Sequence, residues 1–243
     1  MFFDNPFKTR MPRDDEYLAG RHLPIFAGGD HAVLGTDMSP PFAETMQQII
    51  FGLGCFWGAE RLFWTLPGVH VTAVGYAGGR TPHPTYEEVC SGQTGHTEVV
   101  LVVFDPQRQS LGNLLQTFWQ AHDPNQGFRQ GNDRGTQYRS AIFVMDDDDL
   151  AIVTASAEQY QQALAKAGFG QITTEIAVND QFYFAEDYHQ QYLAKPGNRQ
   201  YCSAEPVGLL LPPAEEWLPK EFQEKFAARL PAAYWEQHGP HFG

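Results

Sequence analysis

Cys55 is the residue in this sequence that is best placed to act as a nucleophile. It follows the apolar run 49–53, which predicts a short buried strand, and it precedes residues 57–66, which predict a helix that ends at Pro67. A thiol at a helix N-terminus lies close to unpaired backbone N–H groups and to the positive end of the helix dipole. Both favour the thiolate, so we expect a reactive cysteine here. The alternative is a buried cysteine that only packs in the core.

Three other side chains could hold or protonate an oxygen atom near that thiol. Glu98 enters the apolar run 99–104, where burial would raise its pKa and make it a proton donor near neutral pH. A surface carboxylate at a strand edge is the alternative for Glu98. Tyr86 and Tyr138 supply neutral hydroxyl donors.

Two aromatic residues, Phe56 and Trp57, directly follow the candidate nucleophile and could form one wall of an apolar pocket. With the donors, this wall suits a small, neutral, strongly dipolar substrate whose oxygen is hydrogen-bonded while a thiolate attacks. Two other functions stay open at this point. A cysteine hydrolase would need a histidine base, and His96, His122 or His189 could be nominated. A redox sensor would use the thiols without a substrate pocket.

The composition of the 243 residues is that of a folded protein, with 42% hydrophobic and 14% aromatic residues. The net charge of −13 disfavours nucleic acid and acidic membrane surfaces as partners. Residues 1–23 contain neither an apolar signal segment nor a membrane span, so we expect an intracellular protein, with the bacterial cytoplasm as the default. The three cysteines, Cys55, Cys90 and Cys202, are too few for a disulfide scaffold and have no zinc-ligand spacing.

The order of the predicted elements indicates an α+β fold. Strands and helices alternate, but short hairpin-like and loop connections are mixed among them, which favours a two-layer α/β sandwich over a doubly wound sheet. We expect a mixed, mainly antiparallel sheet in a single domain. Residues 1–45 are predicted to form an extended N-terminal arm, residues 46–203 the catalytic domain and residues 204–243 a C-terminal extension.

Four further features have a structural or a functional interpretation. The polar, glycine-rich segment 122–139 is a long loop, and such loops inside compact domains are usually functional. The four aspartates 146–149 are interpreted as the cap of the following helix rather than as a metal site. Cys90 is assigned to the core. In the proline-rich tail, residues 216–229 predict a short helix.

Six short motifs occur in order between residues 47 and 202. They are 54–60 (GCFWGAE), 75–79 (GYAGG), 84–92 (PTYEEVCSG), 95–98 (GHTE), 131–140 (GNDRGTQYRS) and 185–193 (AEDYHQQYL). Together they closely resemble the motifs of the A-type peptide methionine sulfoxide reductases.

The resemblance implies a protein-repair enzyme that reduces methionine-(S)-sulfoxide, free or within oxidised proteins, without a metal or an organic cofactor. Cys55 would attack the sulfoxide sulfur, while Glu98, Tyr86 and Tyr138 would hold and protonate the oxygen. The products would be methionine and a sulfenic acid on Cys55, which is the first step of cysteine oxidation.

The resemblance also implies how the substrate is held. Phe56 and Trp57 would surround the methyl group, Asp133 would support the site through the long loop, and His189 and Tyr192 would line its edge.

A second thiol would then remove the sulfenic acid by forming a disulfide that an external reductant opens. Cys202 is the natural candidate, because the glycine- and proline-containing stretch before it could let it move toward Cys55. No cysteine follows Cys202, so thioredoxin would have to attack the Cys55–Cys202 disulfide directly. The family resemblance implies a monomer.

Overall fold

The computed structural model describes residues 5–220 and 222. The strands in chain order are β1 (Gln47–Leu53), β2 (Val69–Ala77), β3 (Thr97–Phe104), β4 (Arg129–Gln130), β5 (Asp133–Arg134), β6 (Ser140–Val144), β7 (Glu175–Val178) and β8 (Tyr183–Phe184). The α-helices are α1 (Phe56–Trp64), α2 (Tyr86–Cys90), α3 (Leu111–Ala121), α4 (Asp147–Lys166) and α5 (Ala214–Trp217). None of the helices in this part of the chain is long and apolar enough to cross a membrane.

Six strands form one open sheet in the order β7-β6-β1-β3-β2-β8, and β4 and β5 form a separate small hairpin. Every neighbouring pair in the large sheet is antiparallel except β6 and β7, which are parallel. The parallel pair follows from its connection, because α4 returns the chain to the same end of the sheet. The predicted fold class, a single-domain α+β fold with a mixed, mainly antiparallel sheet, is therefore confirmed.

The helices α1, α3 and α4 cover one face of the sheet and bury its main hydrophobic core. At its centre the Phe51 ring stacks on Phe63 of α1 at 4.8 Å and on Phe118 of α3 at 5.2 Å. Two of these helices begin at side-chain caps that the sequence predicts: the aspartates 146–149 named above, and Ser110, a favoured N-cap residue that directly precedes a segment with apolar residues at helical spacing. Ser110 accepts a hydrogen bond from the Asn113 N–H, and Asp146 accepts one from the Asp149 N–H at 2.8 Å.

The opposite face of the sheet is covered by the segment that precedes β1. Met38 is 2% exposed and packs with Phe26 and Phe42 against the outward-facing side chains of the central strands, such as Val71 and Val103. An antiparallel sheet can leave one face to water, but here both faces are covered, which explains why β3 is apolar without interruption from Val99 to Phe104. The segment therefore contributes a second, smaller core.

A chain of buried hydrogen bonds ties this segment to α1. His31 Nδ1 accepts from the Leu34 backbone N–H at 3.0 Å, so the proton lies on Nε2, which donates to Thr72 Oγ1 at 2.8 Å. The Thr72 hydroxyl donates to Glu60 Oε1 at 3.2 Å, and the backbone N–H of Gln191 donates to Glu60 Oε2 at 2.8 Å. Burial raises the pKa of the Glu60 carboxyl to about 7. The network links the N-terminal segment to the helix that follows Cys55.

Apart from shifts of one or two residues at the ends of elements, three elements differ from those predicted. The sequence predicts a last strand at residues 172–178, but β7 begins only at Glu175, because the Thr173 backbone N–H bonds to the Pro124 carbonyl instead of to a strand. The two-residue strand β8 was not predicted, since two residues carry no periodicity. In the tail, α5 covers only Ala214–Trp217, and most of the predicted helix 216–229 lies outside the described residues.

We predict that Met38→Ala lowers the free energy of unfolding by about 2–5 kcal/mol, because it leaves a cavity in the second core. Leu23→Ala is the matched control in the same segment, since Leu23 is 76% exposed and its truncation is expected to change stability by no more than about 0.5 kcal/mol. Urea unfolding of both variants measures the difference. Equal stabilities would show that the segment does not pack on the sheet.

Candidate active site

The candidate chemical groups meet at one end of the central strands of the sheet. β1 is antiparallel to both β3 and β6, so its C-terminal end lies beside their N-terminal ends. Leu53, the last residue of β1, pairs with Ser140, the first residue of β6. Cys55 follows β1, Glu98 lies at the start of β3 and Tyr138 shortly precedes β6. Residues that are far apart in the sequence therefore meet at this end of the strands.

The turn between β1 and α1 depends on Gly54. This residue has φ of 90°, in the region that favours glycine, and a Cβ atom there would lie 2.7 Å from Cβ of Gln130. Cys55 is the N-cap residue of α1, with φ of −55° and ψ of 120°. Its sulfur lies within hydrogen-bonding reach of the Trp57 backbone N–H in the first turn of the helix. The strand-to-helix position predicted for Cys55 is the one found.

Glu98 is buried, with 1% of its surface exposed, and its carboxyl group accepts a hydrogen bond at Oε2 from the Phe56 backbone N–H at 3.0 Å. Burial raises the pKa of Glu98 to about 8, and the negative charge of Asp133 acts in the same direction. The bond from Phe56 opposes this rise but is the smaller effect. Glu98 is therefore a buried carboxyl group that keeps its proton at neutral pH, and not a surface carboxylate.

The environment of Cys55 differs from that expected of a helix N-terminus. Burial raises the pKa of the Cys55 thiol well above its ordinary value, and the charge of Glu98 raises it further. A hydrogen bond from the Trp57 backbone N–H lowers this pKa, as predicted for a helix N-terminus. Its effect is smaller than the effect of burial. The expectation that the helix terminus alone favours the thiolate is therefore corrected. The charge of Glu98 is absent when its carboxyl is protonated, so a neutral Glu98 favours ionisation of Cys55.

Both candidate tyrosines are held near these groups as neutral hydroxyls. Tyr86 is the first residue of α2, where the reciprocal bonds between Thr85 and Glu88 form a capping box. Tyr138 ends a short 3-10 turn that leads into β6. Burial, followed by the charge of Glu98, raises the pKa of both phenols far above the neutral range. Each can therefore donate a hydrogen bond at any physiological pH.

These groups line one pocket of about 240 Å³. The lining residues are Cys55, Phe56, Trp57, Tyr86, Glu98, Asp133, Tyr138, Tyr192, Arg199 and Tyr201. Eight of the ten residues proposed from the sequence are in this list, and the other two, His189 and Cys202, lie beside it. Arg199 and Tyr201 are the residues that sequence reasoning missed, although they stand within three positions of Cys202.

Two neighbouring side chains hold Trp57, one half of the aromatic wall, in position. The Trp57 ring stacks on Tyr192 at 3.9 Å with an interplanar angle of 10°, and its Nε1–H donates to His189 Nδ1 at 3.1 Å. Burial lowers the pKa of His189 to about 4, so this ring nitrogen is an unprotonated acceptor. His189 thus lies behind Trp57 instead of lining the pocket edge, as the sequence had suggested. It orients the indole through a hydrogen bond.

The long loop reaches the site through Asp133. The Tyr201 hydroxyl donates to Asp133 Oδ1 at 2.8 Å, which ties the segment before Cys202 to the β4–β5 hairpin. The neighbouring Arg199 guanidinium lies over the Tyr201 ring at 5.2 Å. The second oxygen of Asp133 is buried and has no partner among the described residues. It is available to a polar group of a bound molecule.

Cys202 is seated against the first turn of α1. A Cβ atom at Gly58 would lie 2.6 Å from Cys202 Sγ and 3.2 Å from its Cβ, so a side chain at position 58 would displace the thiol. Gly58 is three residues after Cys55 and therefore on the same side of the helix. The charge of Cys202 is among the influences on the Cys55 pKa, as expected for nearby sulfur atoms. All three cysteines are free thiols in this structure.

The third cysteine, Cys90, lies at the end of α2 and is half-buried. Burial raises the pKa of its thiol to about 11, and the charge of Glu98 adds to this rise. Cys90 does not line the pocket. Its place outside the pocket, and not its pKa, separates it from Cys55, whose thiol pKa is also raised.

The histidines that a cysteine hydrolase would need are engaged elsewhere. His96 Nδ1 accepts from the Gly79 N–H and its Nε2 bonds to the Thr81 carbonyl, while His122 bonds to Ser140. Burial lowers the pKa of both histidines to about 4. Within residues 5–220 and 222, no histidine hydrogen-bonds to Cys55. The hydrolase hypothesis thus lacks its general base in this part of the chain.

Comparison with known proteins gives one consistent family. A family model described as peptide methionine sulfoxide reductase matches residues 47–211. The peptide methionine sulfoxide reductase MsrA of Azotobacter vinelandii is 60% identical over 205 residues, which cover 84% of this chain and 94% of that protein. The enzyme of the same name from Saccharophagus degradans is 53% identical over 212 residues, which cover 87% of this chain and 98% of that protein.

Solved structures agree with this match. Methionine sulfoxide reductase A of Corynebacterium diphtheriae superposes with a TM-score of 0.74 at 43% identity, covering 82% of this chain and 99% of that chain. Mxr1 from Saccharomyces cerevisiae in reduced form superposes with a TM-score of 0.61 at 33% identity, covering 70% of this chain and 95% of that chain. Since family, sequence and fold agree over most of its length, this chain belongs to the peptide methionine sulfoxide reductase family and is an enzyme that reduces methionine sulfoxide.

Proposed function

We propose that this enzyme reduces the S epimer of methionine sulfoxide, free and within oxidised proteins, with Cys55 as nucleophile and Glu98 as proton donor. The observation that supports this proposal most directly is the position of the Glu98 carboxyl. It is buried, it accepts a bond from the residue after Cys55, and its pKa of about 8 keeps it protonated at neutral pH. A sulfoxide oxygen needs such a donor as the sulfur is attacked.

The first step transfers oxygen from the substrate to the enzyme. The Cys55 thiolate forms a bond to the sulfoxide sulfur while Glu98 gives its proton to the oxygen, and Tyr86 and Tyr138 hold that oxygen by hydrogen bonds. The oxygen then bonds to the Cys55 sulfur, while the sulfur–oxygen bond of the substrate and the new bond between the two sulfurs both break, which leaves a sulfenic acid on Cys55. Methionine leaves, reduced by two electrons, and the Cys55 sulfur is oxidised by two electrons.

The pocket recognises the rest of the sulfoxide group by shape. Phe56 and Trp57 surround the methyl group, and Tyr192 extends this wall by stacking on Trp57. His189 positions the indole, and Asp133 supports the pocket through Tyr201. Because the hydroxyl and carboxyl donors are distinct from the apolar wall, only one sulfoxide epimer can place its oxygen on the donors and its methyl group on the wall while its sulfur faces Cys55 and the rest of its side chain leaves the pocket.

The second step returns the enzyme to its reduced state. The Cys202 thiol attacks the Cys55 sulfur, water leaves, and a Cys55–Cys202 disulfide forms. A thioredoxin-type dithiol then reduces this disulfide, becoming oxidised itself. Residues 203–243 contain no cysteine that could relay the disulfide, so the reductant attacks this disulfide directly. Such recycling requires a reducing compartment, and the bacterial relatives support the bacterial cytoplasm.

We predict that the enzyme reduces the S epimer and leaves the R epimer unchanged, and that Cys55→Ser loses this activity because a hydroxyl replaces the nucleophile. Methionine release from each separate epimer, with thioredoxin recycling, measures this. Cys90→Ser is the matched control and is expected to keep full turnover. Undiminished turnover by Cys55→Ser would reject Cys55 as the nucleophile.

Replacing Cys202 tests the recycling step separately from the first step. Cys202→Ser is expected to release a single methionine per chain and then to stop with thioredoxin as reductant, because its sulfenic acid has no internal thiol partner. Trapping with a sulfenic-acid reagent followed by mass analysis should label Cys55 in this variant. Continued turnover with thioredoxin, or an unlabelled Cys55, would contradict the proposal.

The pKa of Glu98 predicts a pH dependence. A carboxyl with a pKa of about 8 is protonated below that pH and loses its proton above it, so kcat/KM should fall as the pH rises through about 8. Glu98→Gln keeps the size of the side chain and an acceptor for the Phe56 N–H but has no acidic proton. We expect kcat/KM to drop by about 100-fold or more and the fall above pH 8 to disappear.

A fully active Glu98→Gln variant would exclude the proton-donor role. Stability measured over the same pH range controls for unfolding, so that a fall in activity is not confused with loss of the native state.

A further inference from the structure

A second cavity of about 490 Å³, which we call the cationic groove, lies between the N-terminal segment and the long loop. Lys8, Arg129 and Arg134 contribute positive charge to it, and Pro6 and Phe128 contribute apolar surface. None of the three cations forms an ion pair with a carboxylate of residues 5–220 and 222. Three cations without such a partner in this part of the chain are unexpected around one groove when the net charge of the protein is −13.

The β4–β5 hairpin separates this groove from the reaction pocket. Arg129 pairs with Arg134 across the hairpin, and Gln130 pairs with Asp133. Consecutive residues of a strand point to opposite sides. Accordingly, Asp133 lines the reaction pocket and the buried Gln130 lies against Gly54, while the two arginines line the groove.

The arginine pair itself indicates an anionic ligand. Like charges directly opposite each other in an antiparallel pair destabilise it. Here Arg129 is half-buried, with Nη1 bonded only to the Gly131 carbonyl at 3.1 Å, and Arg134 is exposed. A carboxylate placed between the two guanidinium groups would offset their repulsion. Glu205 approaches this region but bonds to Gln126 at 3.2 Å instead.

The third cation is held in place by the rest of its segment. The Asn5 side chain donates to the Ser91 carbonyl at 2.8 Å, and Phe7 packs against Gly92, where a Cβ atom would lie 2.6 Å from Cβ of Phe7. Lys8 follows in the same short 3-10 turn. The groove is therefore formed before any ligand arrives, which lowers the entropy lost on binding.

We propose that the cationic groove binds acidic residues that flank the methionine sulfoxide in a substrate polypeptide. The proposal rests on the function proposed above. Because Asp133 and Arg134 are adjacent in one strand, a peptide whose sulfoxide side chain occupies the reaction pocket passes close to the groove. The positive charge selects acidic neighbours, and Pro6 and Phe128 accept the apolar parts of the peptide. Free methionine sulfoxide is too short to reach it.

Two peptides of equal length test this with the full-length enzyme. In one, glutamates flank the methionine sulfoxide, and in the other glutamines replace them. Dithiothreitol is the reductant, so that thioredoxin docking has no influence. We expect kcat/KM to be about tenfold higher for the acidic peptide, mainly through KM, as two partly exposed ion pairs would give. The preference should shrink at high salt.

The variant R129Q/R134Q should lose this preference, and Lys8→Gln should reduce it. Arg108→Gln is the matched control, because Arg108 is an exposed cation in the turn after β3, at the opposite end of that strand from Glu98. It should keep the full preference. If the double variant does not fold, as judged by circular dichroism, Lys8→Gln still tests the proposal because that residue is exposed.

Three outcomes would overturn the proposal. The native enzyme could treat both peptides alike, or the double variant could lose activity equally on both peptides. Alternatively, the variants could change the rate only when thioredoxin replaces dithiothreitol, which would make the groove a docking site for the reductant. Reduction of free methionine sulfoxide by the native enzyme tests the proposed function separately, so a failure of the groove proposal can be told apart from a failure of that function.

Discussion

The hydrogen bond from the Phe56 backbone N–H to Glu98 is the interaction on which the rest of the site depends. It satisfies one of the free N–H groups at the start of α1 and gives a buried carboxyl group a partner. Because this single bond compensates only part of the lost hydration, the neutral form of Glu98 prevails. The same neutrality removes a negative charge from the neighbourhood of Cys55. In the proposed mechanism, one proton on Glu98 thus prepares both the donor and the nucleophile.

The first turn of α1 serves both halves of the proposed cycle. Cys55 caps this turn, Trp57 forms the wall for the substrate, and Gly58 leaves the space that Cys202 occupies. Substrate reduction and disulfide formation therefore use the same short stretch of backbone. The Tyr201–Asp133 bond holds the segment before Cys202 beside the pocket, so the resolving thiol is already near when the sulfenic acid forms.

Much of the fold and site could be predicted because the signals were local. Apolar runs and caps such as Ser110 located most strands and helices, and Cys55 was recognised between a strand and a helix. What could not be predicted arises from pairing between distant segments. The short strand β8 forms only because it pairs with β2. The position of His189 beside Trp57 depends on a hydrogen bond between residues that are 132 positions apart in the sequence. The raised pKa of Cys55 likewise reflects burial, which no local pattern reports.

The protonation state of Glu98 tests the central claim most directly. Infrared difference spectra of the native enzyme and of Glu98→Gln, recorded over a range of pH, isolate the carbonyl band of this carboxyl group. If Glu98 is the proton donor, it is a protonated carboxylic acid at neutral pH, and its band disappears as the pH rises through about 8. If the band were already lost between pH 4 and 5, in the ordinary range of a glutamate, Glu98 would be ionised at neutral pH and could not supply the proton.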